Sequence, residues 1–70
     1  MTGVMVYPYE VFINDELVNT IRVHSTHREP KWIIDLALQG FRVKEKLAGR
    51  KVKNTSIIND KVIIVTVDHV

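Results

Sequence analysis

EPKWIIDLALQGFRVKEKLAG, running from Glu29 to Gly49, decides what fold this chain can make. Pro30 suits the first position of a helix, where a missing N–H leaves nothing unpaired. Gly49 suits the position just past the helix end. Thr26 and Glu29 have the spacing of a capping box, but the residue before a proline disfavours helical backbone, so the helix starts at Pro30. Wound as one helix, the segment puts Lys31, Asp35, Gln39, Arg42, Glu45 and Lys46 on a polar arc. Ile33, Leu36, Ala37, Phe41, Val43, Leu47 and Ala48 lie around the opposite side. Lys44 objects, because it projects from the middle of the apolar side. A competing reading ends the helix at Gly40 and makes Phe41 to Leu47 an extra strand, with Phe41, Val43 and Leu47 alternating against Arg42, Lys44 and Lys46. The polar arc runs on past Gly40 and favours the continuous helix, with the Lys44 stem reaching past the sheet's end.

On each side of this segment the chain repeats a turn signal. Asn14-Asp15 separates VYPYEVF from LVNTIRV, and Asn59-Asp60 separates KVKNTSI from VIIVTV. Asn and Asp tolerate the positive φ of a tight hairpin turn, and the flanks are β-branched and roughly alternating, so two hairpins follow. In the first, Tyr9, Val11 and Ile13 share a face, as do Leu17, Ile21 and Val23 on the next strand. Pro8 cannot donate to a ladder, which places it at an edge, a bulge or a strand start. The last strand is apolar on both faces, Val62 and Ile64 against Ile63, Val65 and Val67, the pattern of a central strand.

The expected order is β-β-α-β-β in one α+β domain spanning residues 1–70, with an antiparallel or mixed four-stranded sheet and one helix packed on one face. The uncovered face would carry Phe12 or Tyr9, Val18 or Ile21, and Ile63 or Ile64, according to register. Such leftover apolar surface calls for a partner. The simplest is a second copy, with Ile63, Val65 and Val67 as candidate self-association residues and a homodimer as the product.

Composition narrows the class. With no cysteine among 70 residues, disulfides, thiolate ligands and cysteine nucleophiles are excluded together. No run approaches the roughly 18 apolar residues of a membrane span, and MTGVMVYPYE lacks the charged-then-apolar order of a secretion signal. The expectation is a cytoplasmic protein without membrane contact. Hydrophobic content of 46% beside 26% charged residues argues a packed domain instead of a disordered chain.

Charge is polarised along the chain. Between Arg42 and Lys53 lie six of the ten Lys and Arg side chains and a single acid, Glu45. The stretches before and after carry more acids than bases. Arg42 and Lys46 fall one helical turn apart, and Arg50, Lys51 and Lys53 continue the charge into the following strand, where Lys51, Lys53 and Thr55 would point the same way. With Lys44 these form the candidate partner-binding set. An acidic protein surface or the phosphates of a nucleic acid would be steered to it. The plain alternative is a solvated face near a helix C-terminus, where the macrodipole favours positive charge. Against nucleic acid, the only aromatic residue among the basic ones is Phe41, which the continuous helix buries. Tyr7 and Tyr9 flank Pro8 and look as much like hairpin packing as like base-stacking groups.

Other motifs carry less. His24-Ser25-Thr26-His27, with Glu29 and the distant Asp68 and His69, superficially resembles a metal set, but His24 and His27 fall on a strand end and a loop, and no spacing brings a third ligand to them. Ser25 beside His24 is no triad without converging geometry. Gly3, Gly40 and Gly49 are too far apart for a phosphate loop. Asn54-Thr55-Ser56 matches a glycosylation sequon by chance. Trp32, on the first helical turn, is either core-edge packing or an interface anchor. No catalytic residue, metal or cofactor is implied. The expected function is a small non-enzymatic protein-binding module, a modulator or inhibitor of a larger enzyme or complex. In size and economy it is similar to small phage-encoded proteins that occupy host enzymes, an analogy at the level of fold only. The alternative is a nucleic-acid-binding protein using the same basic residues.

Overall fold

Both Asn-Asp pairs turn the chain with left-handed backbone. In the computed structural model, which describes residues 5–67, φ is 50° and 68° at Asn14 and Asp15, and 48° and 64° at Asn59 and Asp60. Two consecutive positive φ values define the hairpin turn whose twist matches its flanking strands. The first turn joins β1 (Val6–Ile13) to β2 (Glu16–His24), and the second joins β3 (Lys51–Ile58) to β4 (Lys61–Val67), both pairs antiparallel.

The hairpins meet through their inner strands. β1 lies parallel to β4 from Glu10 opposite Lys61 to Ile13 opposite Ile64, giving a mixed sheet in the order β2-β1-β4-β3. The first turn then docks on β4. The Asn14 amide donates to the Ile64 carbonyl at 2.9 Å, its side-chain amide donates to the Thr66 hydroxyl at 2.8 Å, and the Thr66 amide donates back to Asn14 Oδ1 at 3.1 Å. Thr66, otherwise a buried polar group needing a partner, is satisfied on both its hydroxyl and its N–H. As expected for a strand apolar on both faces, β4 is central.

The segment Pro30–Leu47 is helical, but it is not one helix. A first helix, α1 (Pro30–Leu38), begins with Pro30 at its start, and a second, α2 (Phe41–Leu47), comes after a break at Gly40, whose ψ of 139° is extended. The strand alternative for Phe41–Leu47 is thus excluded and the continuous helix is corrected. Glycine weakens a continuous helix and is accepted at an N-cap, and a Cβ at Gly40 would come within a close 3.3 Å of Nδ2 at the tip of the Asn19 side chain of β2. The break shifts the phase of α2 relative to α1. Val43 becomes fully buried, while Phe41 and Lys44, which the continuous helix put on the apolar side, both face solvent. Gly49 closes α2 at φ 77°, as its place in the sequence predicts.

The core lies between the helices and one sheet face: Tyr9, Val11 and Ile13 of β1, Val23 of β2, Val62 and Ile64 of β4, Ile33 and Ala37 of α1, and Val43 of α2. Arg28, in the connection before α1, ties this layer to both hairpins. Its Nε donates to the Tyr9 hydroxyl at 3.2 Å, its guanidinium lies 4.1 Å from the Tyr7 ring centroid, and Asp60 of the second turn is 3.9 Å away. The hydrogen bond to Tyr9 further favours the charged form of Arg28, a guanidinium that is protonated at any working pH in any case.

Two bulges reset the side-chain parity that the sequence suggests. Val18 is extra between Asn19, opposite Val11, and Leu17, opposite Phe12. Lys53 is extra between Val52, opposite Thr66, and Asn54, opposite Val65. A bulge sets two residues against one, so alternation restarts beyond it. Leu17 therefore leaves the face it was expected to share with Ile21 and Val23, and is exposed. The architecture is α+β: one small domain with a four-stranded mixed sheet and two helices.

Candidate functional site

α2 has seven residues, too few to be stable alone. Val43, fully buried, and Leu47, half-buried, fix it against the sheet. That anchoring turns Phe41, Arg42, Glu45 and Lys46 toward a shallow cleft of about 700 Å³, closed on the other side by Leu17 and Val18 of β2. Phe41 is 74% exposed, the most exposed of the large apolar side chains among the described residues. Arg42 and Lys46 stand one turn apart on this face, as expected. Lys46 also reaches Glu16 at 3.5 Å, an exposed pair of the kind that contributes little.

All six candidate basic residues are exposed, but they do not form one plate. Arg42, Lys44 and Lys46 ride on α2, which packs on β2, whereas Lys51 and Lys53 belong to β3 at the opposite edge of the sheet. Arg50 sits in the connection between them. The expectation that Lys51, Lys53 and Thr55 point the same way fails at the Lys53 bulge. Lys51 pairs with Val67 on the uncovered face, and Thr55 pairs with Ile64 on the covered one. Of the candidate self-association residues, Ile63 and Val65 are half-buried and Val67 is exposed. Their register puts all three on the uncovered face with Phe12.

A second cleft, of about 420 Å³, opens where β2 passes α1. It is lined by Arg22, Val23, His24, His27, Trp32, Asp35, Leu36 and Gln39. Trp32 is 45% exposed, with the His27 ring centroid 5.1 Å from its own; His24 lies 6.2 Å from His27. Trp32 is therefore neither core nor isolated. A depression formed by Ile21, Arg22, Leu36, Gln39 and Gly40 continues from this cleft toward Phe41. The clefts thus run along β2 past both helices. Among the described residues no three metal-ligating side chains converge, and Asp68 and His69 lie outside them. No helix among them is long and apolar enough to cross a membrane.

The clustering of His27 with Trp32 and the exposure of Phe41 both escape sequence reasoning. The one signal for the second was Lys44: a charged residue in the middle of an apolar stripe marks a helix that does not continue in phase.

No model of a known protein family matches the chain, and no curated protein matches it in sequence. Its fold does have a counterpart. The chain resembles part of the LeuRS of Agrobacterium radiobacter, in the crystal structure of its ternary complex with tRNA and LeuAMS. The TM-score is 0.79 at 22% identity, covering 90% of this chain and 8% of the synthetase chain. The likeness is one of fold, and this chain corresponds in length to a small part of that protein.

Proposed function

We propose that this chain is an RNA-binding module whose contact surface centres on Phe41 and the basic residues of α2. The observation that carries the reading is the exposed Phe41 ring beside Arg42 and Lys46 on one cleft. Basic side chains hold phosphates and set register without reading sequence. An exposed aromatic ring adds a stacking platform that suits RNA, whose bases are recognised when unstacked from their neighbours. A continuous helix would have buried Phe41 and removed the platform. Support also comes from the fold, which is shared with part of a synthetase crystallised with tRNA.

Fluorescence anisotropy with labelled tRNA at several salt concentrations tests this. Affinity should fall steeply as salt rises, and R42E/K46E should weaken binding and flatten the salt dependence. No binding at low salt, or binding that R42E/K46E leaves unchanged, would overturn it.

A second reading, a protein-binding module, draws on the uncovered sheet face where Phe12, Ile63, Val65 and Val67 meet. A second copy or another protein surface would bury this patch, and an acidic partner would meet Lys51 at its border. Sedimentation at high concentration separates the cases: a dimer that I63E or V65E dissociates supports self-association, and a monomeric wild type ends it.

A further inference from the structure

We infer that the cleft between the end of β2 and α1 receives one unpaired base of the bound RNA, stacked on Trp32. This rests on the RNA-binding reading and adds to it the state of the nucleotide. The wall is aromatic: the Trp32 indole, held by the His27 ring at 5.1 Å, remains 45% exposed at the cleft. Asp35 and Gln39 line the same cleft one helical turn apart. A carboxylate accepts from exocyclic amino groups, and a carboxamide both donates and accepts, so the pair suits the hydrogen-bonding edge of a base.

Arg22 lines this cleft and also the depression that reaches Gly40. A guanidinium there would meet the phosphate next to a base seated on Trp32. The side chains of Arg22, Asp35 and Gln39 enter neither the ion pairs nor the side-chain hydrogen bonds found among the described residues, so their polar groups are free for a ligand. A paired base inside a helix presents its edges but not its faces, because its faces are already stacked. Only a base turned out of a helix, or in a single strand, can lay its ring on the indole. The cleft, at about 420 Å³, is open to solvent, so a base would lay one face on the indole and keep its sugar and phosphate outside.

Trp32 is the single tryptophan of the chain, so its fluorescence reports on this site alone. Titration with a short single-stranded oligoadenylate should quench the emission, while the same strand annealed to its complement should bind through the basic residues without quenching. W32A should lower affinity for the single strand about tenfold and leave the duplex unaffected. W32F, which keeps a ring, should retain most of the affinity and guards against loss of fold. If the single strand binds in a salt-dependent way while Trp32 emission is unchanged, or if W32A binds it as wild type does, the base site is wrong and the RNA-binding reading stands. Equal quenching by the duplex overturns the claim that the base is unpaired. Failure of both strands and tRNA to bind overturns the base site together with the reading it rests on.

Discussion

Helices α1 and α2 come from one amphipathic stretch and cover the same face of the sheet, yet they use their apolar residues differently. α1 buries Ile33 and Ala37 and keeps Ile34 and Leu38 against the core, while Trp32 and Leu36 stay exposed. α2 buries Val43 alone, with Leu47 partly covered, and shows Phe41 to solvent among Arg42, Lys44 and Lys46. The first helix packs four apolar side chains and shows Trp32 and Leu36 at its rim; the second is a display element held by one buried side chain and bounded by two glycines. The difference stems from a single break at Gly40, which releases α2 from the phase of α1.

Four substitutions press on this contrast. I33A should have the largest effect, a loss of about 3 kcal/mol in urea unfolding, because it removes a buried branched side chain from the better-packed helix. V43A should cost about 2 kcal/mol, from the smaller volume removed and its cavity. If V43A costs more than I33A, α2 anchors the layer and the contrast is reversed. G49A should cost about 1 kcal/mol, since its φ of 77° is left-handed while a Cβ there meets nothing within 4 Å. A neutral G49A would mean that the end of α2 is not held in that conformation. F41A should change stability by less than about 0.5 kcal/mol yet weaken tRNA binding about tenfold. A large loss of stability would show that Phe41 packs in the fold after all.

The strands were legible because alternation and Asn-Asp turns are local signals. The inner place of β4 was legible too, since a strand apolar on both faces seldom sits at a sheet edge, although helices cover only its Val62 and Ile64 face. Features that depend on distant partners lay beyond reach. The Val18 and Lys53 bulges leave no local mark, yet each flips the parity beyond it, which moved Leu17 and separated Lys51 from Thr55. The helical content of Pro30–Leu47 was readable, but a helix end at Gly40 was readable only as part of the strand alternative, because the polar arc runs smoothly across Gly40. Only the misplaced Lys44 betrayed it. For the candidate site, the pairing of Arg42 with Lys46 came from helical spacing alone. The Trp32–His27 wall did not, because it needs the turn at Ser25–His27 to bring a loop residue onto the first turn of a helix.

The parallel contact of β1 with β4 also governs how the molecule assembles. Each hairpin closes across a two-residue turn and can form on the microsecond scale. Their union covers only four residue pairs and links positions about fifty residues apart, so it must overcome the entropy of closing the intervening chain. A two-stranded hairpin is marginal by itself in water, and three or more strands are needed for independent stability. That short seam is therefore where cooperativity originates. The Asn14 amide, bonded to Ile64 across it, should exchange its hydrogen only when the whole domain opens.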